Sequence, residues 1–195
     1  SINAFTNDPS VMRMAFVALL AHIIAHGLSK VLIFSSSEVF IQASGSKIMD
    51  DMRGVGRKYP LISLAFITGF LNLMGAIPFI GFFSKLLMYQ SFMSAGQILP
   101  AIGVIVVSAL SIPGYAKAIY ALVFSTPTRE YGDVELKMFK YFLLLLAIIL
   151  LILGILFITL NPVLENIVEN SIGTTGLYKY YSAFHNARAY LGGGP

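Results

Sequence analysis

Five basic side chains define the chemistry open to this sequence. His22, His26 and Lys30 recur at i, i+4 and i+8 inside an apolar run. That interval drifts only about 40° per step around an α-helix, so the three share one face over roughly 12 Å. Glu38 continues the face after Ser35-Ser36-Ser37. Lys85 follows a second apolar run interrupted by Gly75, Pro78 and Gly81, and Lys117 follows Ser111-Ile112-Pro113-Gly114. Neutral imidazole both accepts and donates a proton near ambient pH, and a lysine taken out of water becomes able to exchange its own. Joined by water, such groups form a proton relay in which charge arriving at one site favours departure from the next.

Other chemistries fit less well. A zinc protease motif needs His-Glu-x-x-His, and here Ile23, Ile24 and Ala25 separate the histidines. A haem would want two histidines facing each other across the porphyrin, not two on one edge of one helix. Hydrogen bonding between membrane helices remains an alternative use of the same residues. The sequence has no cysteine, which excludes disulfides, thiolate metal sites and cysteine nucleophiles. No glycine-rich phosphate loop, Ser-His-Asp order or catalytic carboxylate pair stands out, and Asp50-Asp51 sits in a basic loop where solvation is expected.

The elements that must position these residues are membrane helices. The chain is 57% hydrophobic and 11% charged, against about 25% charged for a soluble domain. We therefore expect an all-α integral membrane protein with about four transmembrane helices, near 14–41, 61–92, 101–124 and 137–160. Proline at position 78 removes a backbone donor and clashes with the preceding turn. In hydrocarbon the carbonyls so freed must be satisfied by protein or by water in a cavity, and a lysine at that depth needs a hydrated interior. The second helix is accordingly expected to be broken at Gly75-Pro78-Gly81, with Lys85 facing the same polar pathway; a proline kink with a snorkelling lysine is the plainer alternative. The Pro113 region and Lys117 look like a smaller copy of that arrangement. The fourth helix reads as lipid-facing or packing only.

Residues 1–160 thus form a transmembrane module. Residues 161–195 mix Tyr178, Tyr180, Tyr181 and Tyr190 with Lys179, His185 and Arg188, as expected of an extracytoplasmic tail lying at the headgroups or docking on a subunit. Residues 1–10 lack the marks of a signal peptide, and the start at serine points to processing or to a longer chain. Lys47, Arg53, Arg57 and Lys58 crowd one loop, and Arg129, Lys137 and Lys140 the next but one. The positive-inside rule makes both loops cytoplasmic and both termini external. The net charge of +4 therefore reports topology, and no nucleic acid partner is expected.

Three stretches, Ala21-His22-Ile23-Ile24-Ala25-His26-Gly27-Leu28-Ser29-Lys30, Gly45-Ser46-Lys47 through Gly54-Val55-Gly56-Arg57-Lys58-Tyr59-Pro60, and Gly75-Ala76-Ile77-Pro78-Phe79-Ile80-Gly81-Phe82-Phe83-Ser84-Lys85, resemble in order and spacing the antiporter-like subunits. These serve respiratory complex I, membrane-bound hydrogenases and sulfur reductases, and multisubunit sodium/proton antiporters. The resemblance covers about 16–124. It implies a fold of two inverted repeats of which this sequence carries the last four helices, with His22, His26, Lys30 and Lys85 on the ion pathway; Lys117 takes no role from it. Where the family has Pro-Pro at the break, this sequence has Ile77-Pro78-Phe79. The first repeat is not in this sequence, so other membrane subunits, including that missing half, are expected partners.

The expected function is ion translocation, most simply of protons, within a redox-driven complex of a prokaryotic cell membrane. The sequence offers no redox site and no cofactor of its own, and iron-sulfur clusters or other redox centres are expected in partner subunits. A sodium/proton antiporter subunit and a non-conducting structural subunit are the alternatives.

Overall fold

A computed structural model describes residues 9–157, together with 159, 162, 163, 166 and 167. The expected tail over 161–195 and the placement of both termini lie outside the described residues, apart from those last positions. Among the described residues the structure is all-helical.

Helix α1 spans Pro9–Ser44, longer at both ends than the expected 14–41. Its 36 residues extend roughly 54 Å at ~1.5 Å per residue. Gly45, at φ 65°, ends it by donating its N–H to the Ile41 carbonyl at 2.7 Å. The left-handed conformation there is one that glycine adopts without a Cβ penalty.

The next segment is more ordered than a bare loop, with 3-10 turns at Met49–Met52 and Val55–Arg57. Helix α2, Pro60–Met74, starts on a proline whose missing donor costs nothing at that position. Helix α3 spans Ile80–Ser94 and α4 spans Ile98–Ile119, continued by a π-helical stretch at Tyr120–Phe124. Helix α5 spans Phe139–Ile155, beginning two residues after the expected start at 137; positions 158 and 160 of the expected end lie outside the described residues.

Two expectations are corrected. Gly81 lies inside the first turn of α3, so the non-helical residues are 75–79. The Ser111–Gly114 disturbance is absent, since α4 runs through Pro113 as continuous helix. Proline leaves the Ala109 carbonyl without its usual donor there, and one turn earlier Ser111 Oγ donates to the Ser108 carbonyl at 2.8 Å. The irregularity of this helix comes later, at Tyr120–Phe124.

The core forms where α1, α2 and α5 meet. Phe40, Phe66, Leu32, Ile62 and Leu143 are essentially inaccessible. An aromatic chain runs Phe40, Phe66, Phe70, Tyr115 with centroid spacings of 5.3, 4.8 and 5.0 Å, tying α4 to the core. Gly69 lets α1 and α2 approach closely, for a Cβ there would sit 2.8 Å from Ile33 Cγ1 and 3.1 Å from the Ser29 carbonyl oxygen. The outer face is apolar. Leu99 is 83% and Leu110 74% exposed, a surface suited to hydrocarbon rather than water. Two stretches, Ser10–Ser44 and Ile98–Phe124, are long and apolar enough to cross a membrane, while Pro60–Met74 and Phe139–Ile155 are shorter apolar helices.

Candidate functional site

The site begins with the way α2 ends. Gly75 adopts φ 82°, its N–H bonds the Asn72 carbonyl at 3.1 Å, and Ala76 N–H reaches back to the Leu71 carbonyl at 2.9 Å. This paired closure satisfies two terminal carbonyls but not that of Leu73. Pro78 carries no N–H with which to help. Lys85 fills the gap: its Nζ donates to the Leu73 carbonyl at 2.6 Å. Gly75 also makes room for the lysine, since a Cβ there would lie 3.3 Å from Lys85 Cδ.

Asn72 fixes this geometry. It is 1% exposed, and its Nδ2 donates to the Ala25 carbonyl at 2.9 Å and to Ser29 Oγ at 2.6 Å, both on α1. Its Oδ1 accepts from Gly81 N–H at 2.8 Å. One amide therefore joins α1, α2 and α3 at the interruption. A Cβ on Gly81 would fall 2.9 Å from Asn72 Oδ1, so only glycine fits beneath it.

The histidines stand on the same side. His22 and His26 stack with ring centroids 5.5 Å apart. His22 Nδ1 lies 3.3 Å from Ser84 Oγ, which itself donates to the Gly81 carbonyl at 3.0 Å. Ser84 thus joins His22 to the first turn of α3, the donor in the imidazole contact being set by the histidine tautomer. His22, His26, Asn72 and Lys85 line one cavity of about 390 Å³, which α4 closes with Ser108, Ser111 and Tyr115. Lys85 and Ser108 also line a second cleft of about 380 Å³ beside Gly75 and Tyr89. The lysine stands between two openings.

The remaining predicted residues are not brought in. Lys30 is exposed on α1 and Lys117 is exposed in the last turn of α4; neither lines either cavity. Pro78 belongs to the interruption, where its peptide with Ile77 is cis. Asn72, Ser29 and Ser84 were not singled out in the sequence. The available signal was an amide within Phe70-Leu71-Asn72-Leu73, because a polar group at that depth has to find partners. No cluster of three or more His, Cys, Asp or Glu side chains arranged for a metal occurs among the described residues.

The helix with no assigned chemistry also contributes. Buried Gly154 of α5 lies against the interruption, where a Cβ would come within 2.7 Å of Ile80 N and Phe79 Cα.

At the other end of the bundle, the two basic loops interlock. Gly54 N–H donates to the Ala121 carbonyl at 2.9 Å, and Arg57 Nη2 to that of Phe124 at 2.6 Å, so the first loop caps the π-helical end of α4. Tyr59 Oη donates to the Gly132 carbonyl at 2.6 Å, Tyr131 Oη to that of Arg53, and Lys58 Nζ to that of Tyr131 at 2.6 Å. Asp51 is half-buried rather than simply solvated, accepting from Ser46 Oγ at 2.6 Å, while Asp50 is exposed.

Comparison with known proteins adds an independent line. The transmembrane family described as NADH:quinone oxidoreductase/Mrp antiporter matches residues 10–111. NADH-quinone oxidoreductase subunit N of Flavobacterium johnsoniae is 31% identical over 113 residues, covering 57% of this chain and 24% of that protein. Formate hydrogenlyase subunit 3 of Escherichia coli is 26% identical over 127 residues, 60% of this chain and 21% of the relative. F(420)H(2) dehydrogenase subunit M of Methanosarcina mazei is 26% identical over 151 residues, 75% and 29% respectively. The chain thus spans between a fifth and three tenths of the length of these relatives.

Proposed function

Because the chain belongs to the NADH:quinone oxidoreductase/Mrp antiporter transmembrane family, we propose that it forms the ion-translocating, carboxy-terminal part of an antiporter-like subunit, and that the ion is the proton. The observation that carries this reading is the sharing of one cavity by His22, His26 and Lys85, with the Lys85 ammonium resting on the carbonyl opened by the helix interruption. Protons pass between the histidines and Lys85 through water, for which the cavity has room for several molecules at ~30 Å³ each. A second positive charge in the same cavity repels the first, so that a proton arriving at a histidine favours release from Lys85. Lys30, one turn beyond His26 on the exposed face, serves as an outer station, and Lys117 is left without a role.

In this reading α2 and α3 are two halves of a single crossing. Their 15 residues each supply about 45 Å of helix, comparable to α4 with its π-helical extension. The loops before α2 and after α4 meet at one end of the bundle, which supports a return path through α2 and α3 together. Four crossings result, with both loops cytoplasmic and residues 161–195 on the far side. The partners are further membrane subunits, including the one that completes the fold, and the redox centres that drive transport lie in subunits other than this one.

The test is ion movement in vesicles containing the intact parent complex, comparing wild type with Lys85→Ala while following internal pH and sodium. Loss of the pH gradient in an assembled complex is expected. Selective loss of sodium movement would assign the chain to a sodium-coupled antiporter, and unchanged gradients of both ions would leave it a structural subunit.

A further inference from the structure

A third hollow, of about 300 Å³, lies apart from the ion cavity, between the first turns of α2 and α5. Lys58 and Lys140 line it together with Leu61, Ile62, Val134 and Leu136. This pairing of cations over an apolar floor occurs where two apolar helices begin. Phe139, Tyr141 and Phe142 are exposed beside it at 41%, 54% and 51%, the kind of aromatic collar that marks the level of lipid headgroups. Below them α5 presents Leu145, Ile148 and Ile152 outward.

Both ammonium groups retain capacity for an anion. Lys140 Nζ lies 5.1 Å over the Tyr141 ring. Lys58 Nζ gives one proton to the Tyr131 carbonyl and meets Asp133 Oδ1 at 2.7 Å, which leaves a third N–H. Asp133 competes for that lysine, but its side chain is 95% exposed and so is readily drawn into water.

We propose that this hollow binds the phosphate headgroup of an anionic phospholipid, with its acyl chains lying along the outer face of α5. Basic pockets between membrane helices at the headgroup level attract such lipids, and a free phosphate would find the same two cations but no use for the apolar floor. The site would fasten the interlocked loops to the membrane surface. It rests on the membrane location of the family and is independent of which ion is moved.

Peptide-resolved hydrogen exchange tests it, on the full chain in its membrane complex, held in nanodiscs of phosphatidylcholine with a rising fraction of phosphatidylglycerol. Segments 58–64 and 131–142 should gain protection as phosphatidylglycerol is added. Lys140→Gln, which leaves the Lys58 contacts to the loop in place, should raise the phosphatidylglycerol fraction needed for half-protection about fivefold, the loss expected for one lysine at the surface. Equal exchange in both lipids, or an unmoved midpoint in Lys140→Gln, overturns the proposal. Protection by inorganic phosphate added to pure phosphatidylcholine discs overturns the lipid assignment and makes the hollow a free-anion site.

Discussion

At the scale of single residues, Asn72 does as much as any basic side chain to define the candidate pathway. It titrates nothing, yet it joins the histidine helix to both sides of the interruption. In Asn72→Ala the Gly81 N–H is left buried without its acceptor and the Ser29 hydroxyl without its donor. An orphaned buried group costs ~1–3 kcal/mol, so a clearly lower unfolding temperature is expected, together with slower proton transport although His22, His26 and Lys85 are all present. Asn72→Asp separates the two parts of the role, because it keeps an acceptor for Gly81 and loses both donors to α1. Its transport should fall while the turn after Met74 persists, a combination that hydrogen exchange across 72–81 would reveal. The spacing of His22, His26 and Lys30 made a shared face legible, but spacing carries no information on how far along that face the covering helices reach. His22 and His26 are half-buried and Lys30 is exposed, although Ser29, Leu32 and Ile33 beside it are buried. Asn72 stayed hidden for a related reason: its partners are 47, 43 and 9 positions away, and no local pattern encodes contacts at that range.

At the scale of elements, glycine and proline have effects that the chain alone leaves ambiguous. Pro78 and Pro113 both sit in apolar stretches, but only the first accompanies an end to helix. Gly75 accounts for the difference, since its left-handed conformation turns the chain out of α2, whereas Gly114 lies within continuous helix. The packing of α5 against the interruption was not legible either. A run of Leu, Ile and Phe looks the same whether it faces lipid or protein, and the one distinguishing residue, Gly154, matters through the backbone it allows to approach. Gly154→Ala would place a methyl against Phe79 and Ile80, where the neighbours are main chain and cannot rotate away. Overpacking of this kind costs ~1–3 kcal/mol. The expected result is a lower unfolding temperature with faster hydrogen exchange in 76–82, while the loops at the opposite end exchange as in wild type. Gly103→Ala, where a Cβ would meet nothing within 4 Å, provides the matched control: it should leave exchange in 76–82 unchanged and should not lower the unfolding temperature, since alanine is favoured over glycine within a helix.

At the scale of the whole molecule, the bundle has a polar end held by cross-loop bonds and a middle held by one amide and the close contacts of Gly69, Gly81 and Gly154. The polar end is where pH should act. The hydrogen bond to Asp133 holds the Lys58 ammonium above its ordinary pKa of 10.5, more than offsetting the opposing effect of desolvation. A group whose folded pKa is raised contributes stability that is fully present below its unfolded value and disappears as pH rises through the folded one. The Lys58 contribution is therefore constant across physiological pH and is lost only above about 10.5. The difference in proteolytic resistance of the loops between wild type and Lys58→Gln should stay level from neutral to mildly alkaline pH, then shrink as Lys58 gives up its proton. A difference that vanished between pH 6 and 8 would mean that another group governs how the two loops hold together. Other cross-loop bonds reach main-chain carbonyls from the Gly54 N–H, the Tyr59 and Tyr131 hydroxyls and the Arg57 and Arg129 guanidinium groups. The interlocked end should thus keep its structure over the pH changes that a proton pathway at mid-bundle would itself create.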